Sequence, residues 1–369
     1  MADCVAAEDA RQGAVTGKTI EDQDRAWRRW EEYANSIGIH DDIYLDNLSK
    51  PNRIKIMGAF AMALSDEGRF SKRTHAPLAE GTIRNTISFM ASTFRDNDRP
   101  NPTKDADGEL GRLLSRLFRA FRNKDPVSKQ QKALPATVLI ELSKLQATES
   151  QRARFELSAG AMFFCMRSRE YLKVPQAEKG RTDIIRLRCI IFRRGRRIIR
   201  HDDPELEYAD NVTIIFEMQK KDERDDSVTH WCTNHPILCP VRLWATVVKR
   251  IKSYPGTDDN TPVSAVWRNN RIEHITSKEI IDAINASAEA IGWDNLGVKK
   301  GDFGTHSIRS GGAMAMYLDE VPIYTIMLIG RWSSDAFLKY IRKQVDKFTY
   351  NIAKRMLKHL EFRHLPLVD

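Results

Sequence analysis

The sequence lacks the features that mark several large classes of protein. It has five cysteines among 369 residues, an odd number at irregular spacings, which argues against a disulfide framework. No run of about 18 apolar residues occurs, so we expect no membrane-spanning helix. The N-terminal segment carries acidic residues where a signal peptide has a basic region and an apolar run. We therefore expect a protein of the reducing compartments that does not enter a membrane.

Nucleotide-binding and zinc-protease motifs are also missing, because GxGxxG, GxxxxGK[ST] and HExxH do not occur in the strand and helix context that each requires. One group of possible metal ligands lies within ten residues: His230, Cys232, His235 and Cys239. The spacings match no common zinc knuckle, although a zinc site there remains an alternative. We predict that the protein uses no metal and no cofactor.

What the sequence does contain is an excess of positive charge. Lysine and arginine number 59 against 50 acidic residues, which leaves a net charge of +9 and an isoelectric point near 9.2. An excess of this size favours a polyanionic partner, and nucleic acid is preferred here over an anionic membrane. The length and an apolar content of 41% suffice for two domains with separate cores.

Composition and apolar periodicity divide the chain into four parts. Residues 1–17 form a polar, disordered arm, 18–124 a helical domain, 125–136 a linker, and 137–369 a second domain. In the first domain the apolar spacing predicts four helices, over 20–38, 52–66, 81–96 and 108–124. In the second, helices run to about residue 173, two β-hairpins follow over 184–200 and 211–232, and helices then resume, one of them capped by Thr276 and Glu279. The fold class is therefore mainly α with a small antiparallel β-sheet.

Three basic regions are candidates for contact with phosphates. On the helix over 108–124, an apolar stripe of Leu113, Leu114, Leu117, Phe118 and Phe121 lies beside four arginines that share a face: Arg112, Arg116, Arg119 and Arg122. These guanidinium groups form either a solvated face or a row of phosphate contacts. The linker adds Lys129 and Lys132. Five arginines in 193–200 are consistent with a DNA contact, a nuclear import signal or a solvated turn.

A second set of residues has the types needed for attack on a phosphodiester. Arg167, with Arg169 as its rival, is followed by Glu170, which we expect to orient an arginine. Lys220 and Lys221 occupy the turn of the second hairpin, and alternation along a strand allows only one to face a phosphate; we favour Lys220.

The remaining residues of this set lie near the C-terminal end. His306 and Arg309 are three residues apart, so they share a helix face, and the glycines that follow allow close packing. Trp332 and Tyr340 lie eight residues apart in GRWSSDAFLKYIR. Arginines match phosphate oxygens, an indole N–H donates a hydrogen bond, and a tyrosine supplies a nucleophile. A lysine protonates a leaving oxygen, and a histidine accepts a proton or holds the phosphate.

The ordered set resembles the active site of the tyrosine recombinases of the phage-integrase superfamily: Arg167, Lys220, His306, Arg309, Trp332 and Tyr340. Within it, HSIR resembles the HxxR motif, and GGAMAM…IMLIGRWSSDAFLKYIR resembles most closely the recombinases of eukaryotic Crypton-type transposable elements. Among rival tyrosines, Tyr317 and Tyr324 sit in apolar contexts, and Tyr350 lies on a terminal helix. The resemblance implies a helical core-binding domain followed by a tyrosine-recombinase catalytic domain.

The resemblance also implies a function. A site-specific recombinase would cut and rejoin double-stranded DNA through a 3′-phosphotyrosyl intermediate, without metal or ATP, as a homo-tetramer. The helix over 347–362 would dock on a neighbouring protomer or pack on its own domain. A nuclear location is expected if the source is eukaryotic, and a cytoplasmic one otherwise. The alternatives are a domesticated, non-catalytic DNA-binding protein derived from such a recombinase, and a topoisomerase of the same chemistry.

Overall fold

The computed structural model describes residues 16–66, 77–126, 131–173, 184–218, 224–334 and Leu338. The chain divides into two compact units, residues 1–128 and 129–369. The finer division into arm, helical domain, linker and catalytic domain stays a prediction. Of the helices described, none combines the length and the apolar character needed to cross a membrane.

The first unit is built from helices around an aromatic core. The four predicted helices are confirmed, with shifted ends: α1 (Gly17–Ser36), α2 (Lys50–Ser65), α3 (Glu80–Asp96) and α4 (Arg112–Lys124). Trp30 of α1 is fully buried, and its indole N–H donates to the Ile43 carbonyl at 3.0 Å. Its ring meets the edge of Phe60 at 5.4 Å between centroids. Burying an aromatic ring while its N–H keeps a partner is the favourable way to place tryptophan in a core.

In the described part of the second unit, helices lie before and after the strands in the sequence. Those described are α5 (Ala136–Leu142), α6 (Glu149–Phe163), α7 (Ser168–Tyr171), α8 (Pro240–Lys252), α9 (Ser277–Ile291), α10 (Thr305–Leu318) and α11 (Ile323–Gly330). A backbone hydrogen bond of 2.9 Å from Leu134 to the Ser307 carbonyl ties the segment before α5 to α10. The predicted capping box is confirmed, because Thr276 Oγ1 and the Glu279 carboxylate satisfy each other's backbone N–H groups.

Both predicted hairpins are confirmed, and they join into one sheet. Its strands are β1 (Ile190–Arg194), β2 (Arg197–Ile199), β3 (Asn211–Met218) and β4 (Arg224–Trp231), in the antiparallel order β2-β1-β3-β4. The central strand β3 buries Val212, Ile214 and Phe216. Strand β3 ends two residues before Lys220, and Phe216 near its end contacts the site described below.

A further hairpin was missed. We expected only helices after the second hairpin, whereas β5 (Ala265–Arg268) and β6 (Arg271–His274) pair between α8 and α9. Asn269 and Asn270 connect them with φ values of 50° and 60°. Two consecutive residues with positive φ form the turn whose twist suits a two-residue hairpin, and asparagine tolerates that conformation. The signal was present in the sequence as an asparagine pair between two short apolar runs.

Candidate active site and DNA-binding helix

Arg309 lies inside the second unit, on the face of α10 that approaches α6. Only 2% of the residue is exposed, and its guanidinium donates to the Cys165 carbonyl and, at 2.5 Å, to the Gly330 carbonyl. The close approach depends on the glycines after Arg309. A Cβ at Gly312 would collide with the Met162 carbonyl of α6. The prediction that these glycines permit close packing is confirmed.

Arg167 lies in the turn between α6 and α7. Helix α6 ends at Phe163, and Arg167 directly precedes the short helix α7. The Arg167 backbone N–H donates to Glu170 Oε2 at 2.8 Å, and its Nη1 donates to Oε1 at 2.9 Å. Glu170 therefore orients Arg167 and its turn, as predicted from the sequence.

A third arginine, Arg331, joins this group and was missed in the sequence. Its side chain is fully buried, and its Nη2 donates to Glu170 Oε2 at 2.7 Å. Its Nη1 donates to the Phe164 carbonyl at 3.0 Å, and the ring of Phe216 lies 3.5 Å from the guanidinium carbon. The available signal was a basic residue directly before Trp332. We refer to Arg167, Arg309, Arg331 and Glu170 as the arginine cluster.

The arginine cluster carries more positive than negative charge. Three guanidinium groups and one carboxylate leave an excess of two positive charges, and the carboxylate is 1% exposed. Burial, and next the neighbouring charge of Arg167, lower the pKa of Arg309 to about 9. An anion that enters the cluster would stabilise the charged guanidinium groups, since an opposite charge within a few ångströms favours the ionised form. Guanidinium groups can bind phosphate oxygens through two parallel hydrogen bonds.

His306 lies one helical turn before Arg309 and is half-buried. Burial lowers its pKa from the ordinary value of 6.5, and the positive charges of Arg309 and Arg167 lower it further. The imidazole is therefore uncharged at neutral pH. A neutral imidazole accepts a proton, as a general base must.

Trp332 contributes to packing and to the cluster at once. Its ring centroid lies 4.4 Å from the Arg309 guanidinium carbon, a cation–π distance. It also packs against a small apolar group that contains Ala313, Ile326 and Leu338. Leu338 lies two residues before Tyr340 in the sequence, so the chain passes this group immediately before the predicted nucleophile.

Several predicted residues lie outside the described residues: Lys129, Lys220, Lys221, Tyr340, Tyr350 and the segment 347–362. Their roles stay predictions. Of the rival tyrosines, Tyr317 is half-buried as expected for an apolar context. The expectation for Tyr324 was wrong, because it is 70% exposed on α11. On this short helix, outward-facing positions carry apolar side chains, and the pattern misled the interpretation.

The basic helix α4 exposes all four predicted arginines. Leu114 and Phe118 are buried beneath them, whereas Leu113 is 42% exposed and does not belong to the buried stripe as predicted. Arg122 Nη2 lies 3.3 Å from Glu80 Oε1. Within the part of the chain that the structure describes, no ion pair engages the remaining three: Arg112, Arg116 and Arg119. These three side chains are exposed, and their role as phosphate contacts stays a prediction.

Other basic residues are matched by acids. Lys132 lies 3.6 Å from an Asp302 carboxylate oxygen and 3.3 Å from the Gly297 carbonyl. In the β1–β2 hairpin, ion pairs connect Arg194 to Glu205 at 2.7 Å, Arg200 to Asp202 at 3.0 Å, and Arg197 to Asp203 at 3.8 Å. Since each pair removes a net charge from the surface, we expect the hairpin to attract DNA less than α4 does.

The histidine and cysteine segment is engaged in local contacts. His235 Nδ1 accepts hydrogen bonds from the backbone of Ile237 and Leu238 at 3.1 and 3.0 Å. Cys232 and Cys239 lie 3.5 Å apart, sulfur to sulfur. Among the described residues, no three histidine, cysteine or acidic side chains are grouped closely enough to hold a metal ion. The absence of a metal requirement remains a prediction.

Similarity to known proteins is found in structure and not in sequence. No protein-family model matches the chain, and no curated protein matches its sequence. The Tn1549 transposon integrase bound to transposon right end DNA superposes with a TM-score of 0.53 at 12% identity, covering 96% of this chain and 97% of that one. The same integrase with circular intermediate DNA gives 0.52 at 12% identity, covering 96% and 98%. The XerH site-specific recombinase bound to difH gives 0.48 at 14% identity, covering 85% and 74%.

Proposed function

We propose that this chain, which has the fold of the tyrosine recombinases, is a site-specific DNA recombinase. The observation that carries the proposal is the arginine cluster. The guanidinium groups of Arg167 and Arg331 bind one buried carboxylate, and that of Arg309 lies near it, beside a tryptophan ring and a histidine whose pKa is lowered. Such a cluster is suited to a phosphodiester whose charge increases in the transition state, because preorganised positive groups stabilise the developing charge without rearrangement.

The chemistry then follows from the residue types. The Tyr340 oxygen attacks the scissile phosphorus and forms a phosphorus–oxygen bond, while the bond to the 5′ oxygen breaks. His306 accepts the phenolic proton, and Lys220 donates a proton to the departing 5′ oxygen. Arg167 and Arg309 neutralise the non-bridging oxygens. The product is a 3′-phosphotyrosyl bond and a free 5′-hydroxyl, which another strand's hydroxyl can use in the reverse reaction.

Double-stranded DNA is the proposed partner. The exposed arginines of α4 would bind its phosphates, and their contribution would depend strongly on salt. A homo-tetramer would hold the two duplexes that exchange strands. By its motifs the chain is proposed to derive from a Crypton-type element and to act in the nucleus of a eukaryotic cell, or in the cytoplasm if the source is not eukaryotic.

A non-cutting DNA-binding protein is the second candidate. One observation favours it: Arg309 is 2% exposed and donates to two backbone carbonyls, as an arginine with a purely structural role would. A guanidinium has five N–H donors, so these two bonds leave donor capacity for a phosphate. The two candidates share the basic helix α4 and differ only in whether a covalent product forms.

A suicide substrate separates the two candidates. Sites bound by the full-length protein are first selected from random duplexes, and a nick is then placed near the centre of the selected site. Incubation without metal should produce a covalent protein–DNA band on a denaturing gel, and Tyr340→Phe should abolish it. Tyr324→Phe is the matched control and should leave the band, because Tyr324 is exposed on α11. Tight binding without a covalent band would establish the non-cutting protein instead.

A further inference from the structure

The residue after α11 is an arginine in a conformation that favours glycine. Arg331 has φ 54° and ψ 50°, the left-handed region that a side chain with a Cβ adopts at a cost. The Trp332 N–H closes the turn on the Met327 carbonyl at 2.9 Å, so Arg331 stands where glycine is most often found. A non-glycine residue kept in this conformation indicates that its side chain does something a glycine could not.

The Arg331 guanidinium donates hydrogen bonds to one carboxylate and two backbone carbonyls. It reaches Glu170 Oε2 at 2.7 Å, the Phe164 carbonyl at 3.0 Å and the Ile329 carbonyl at 3.2 Å. Neither Arg331 nor Glu170 has more than 1% of its side chain exposed. A buried ion pair of this kind links the turn that carries Trp332 to the turn that carries Arg167.

The pair also changes the charge that a bound phosphate meets. Glu170 binds both side chains, since Oε1 accepts from Arg167 Nη1 at 2.9 Å while Oε2 accepts from Arg331 Nη2 and from the Arg167 backbone N–H. With Arg331 the four residues of the arginine cluster carry three positive charges and one negative charge, an excess of two; the Asp226 carboxylate of β4 lies near Arg331 and favours its charged form. Without Arg331 the excess falls to one, because Glu170 would neutralise one of the two remaining guanidinium groups. A phosphodiester carries one negative charge, and the transition state of attack on it carries two.

We propose that Arg331 is a positioning residue of the recombination reaction. It holds Glu170 so that the excess positive charge of the cluster matches the transition state, and it anchors the turn before Trp332. The inference rests on the proposed function and adds a residue that acts through Glu170. Arg331 need not touch the DNA.

The test uses the full-length protein and the nicked suicide substrate in single-turnover reactions. Arg331→Met keeps the length of the side chain and removes its charge, and we expect cleavage to slow by about 100-fold, the scale of a small misplacement at a reacting centre. The dissociation constant for DNA should change by less than about threefold, because the exposed basic residues determine affinity. The double variant Arg331→Met with Glu170→Gln removes the unpaired buried charge and returns the excess of the cluster to two, so it should cleave faster than Arg331→Met. Should Arg331→Met fail to fold, a double variant that cleaves about 100-fold more slowly than wild type would overturn the charge argument.

A substrate with a neutral methylphosphonate at the scissile position distinguishes an electrostatic role of Arg331 from a purely structural one. Its transition state carries one negative charge fewer, so the Arg331→Met defect should shrink from about 100-fold to less than about tenfold. An equal defect on both substrates, or cleavage within about threefold of wild type on the phosphodiester, would overturn the inference. Arg331→Lys, which keeps the charge but not the fork, should fall between wild type and Arg331→Met.

Failure of the proposed function has a different signature. Wild-type protein that binds the selected site without forming a covalent product would refute the recombinase proposal. The inference on Arg331 would then be decided by binding alone, with the phosphodiester and the methylphosphonate compared at the same site. A weaker preference for the phosphodiester in Arg331→Met than in wild type would support a role of Arg331 in the charge of the cluster. An unchanged preference would overturn that role.

Discussion

The substitution Gly312→Ala tests whether the close approach of α10 to α6 positions Arg309. Gly312 lies on α10, three residues after Arg309, where the helix backbone meets α6. An added Cβ would lie 2.9 Å from Cys165 Sγ and would collide with the Met162 carbonyl. Ordinary contacts between such atoms are roughly 3.5 Å or longer, so α10 must move by roughly 1 Å, or α6 must give way. Helix α10 carries Arg309, and Cys165, whose carbonyl accepts from the Arg309 guanidinium, lies two residues after the end of α6.

The expected magnitude follows from two opposing terms. Overpacking a core costs about 1–3 kcal/mol, and replacing a helical glycine by alanine returns about 0.5–1 kcal/mol. The free energy of unfolding should therefore fall by about 0–2.5 kcal/mol, and the Tm should fall by about 2–4 °C for each kcal/mol lost in a unit of this size. A displacement of Arg309 by roughly 1 Å should slow suicide-substrate cleavage by about 100-fold.

The assay combines a thermal melt with single-turnover cleavage. Gly81→Ala is the matched control, because Gly81 also lies in a helix and an added Cβ would meet no atom within 4 Å. The control should melt at or slightly above the wild-type temperature and cleave at the wild-type rate. If Gly312→Ala behaves like Gly81→Ala in both measurements, the close approach of α10 to α6 does not position Arg309.

Three further predictions concern DNA binding, pH and metals. Arg116→Gln and Arg119→Gln should each reduce the slope of log K against log salt by about 1, whereas Arg197→Gln and Arg200→Gln, whose arginines pair with aspartates, should reduce it far less. Because burial lowers the pKa of His306, its contribution to stability is present above pH 6.5 and lost as the pH falls below that value. Melts from pH 5 to 8 should show this loss, and His306→Gln should reduce it. EDTA should leave cleavage unchanged, since phosphoryl exchange through a tyrosine needs no metal; a loss restored by zinc would contradict this.

Local patterns along the chain were sufficient for most of the fold. Apolar spacing located the four helices of the first unit, because each helix buries one stripe against its neighbours. Strand runs on both sides of Gly195 located the first hairpin, and the Thr276–Glu279 spacing located a helix start. These features depend on residues close together in sequence, so they could be inferred without knowing the tertiary structure.

The functional set was also suggested by sequence, and the order of residue types carried the resemblance to tyrosine recombinases. The structure brings Arg167, His306, Arg309 and Trp332 into one region. Arg309 and Arg167 lie close enough to His306 to lower its pKa, and the Arg309 guanidinium contacts the Trp332 ring. For the predicted Lys220 and Tyr340, the sequence resemblance remains the basis of their proposed roles.

Only the tertiary structure decided which arginines form ion pairs with which acidic side chains. The sequence left five arginines in 193–200 open as DNA contacts, but three of them pair with acids of the segment that follows, Asp202, Asp203 and Glu205. For Arg331 the sequence offered only its position before Trp332, and it did not show that the partner is Glu170, 161 residues away. Whether a charge is paired depends on which groups share its surroundings after folding, and Coulomb energies depend on distances in space and not along the chain. The sequence therefore determined which residue types could act on a phosphodiester, and folding determined which of their charges remain to do so.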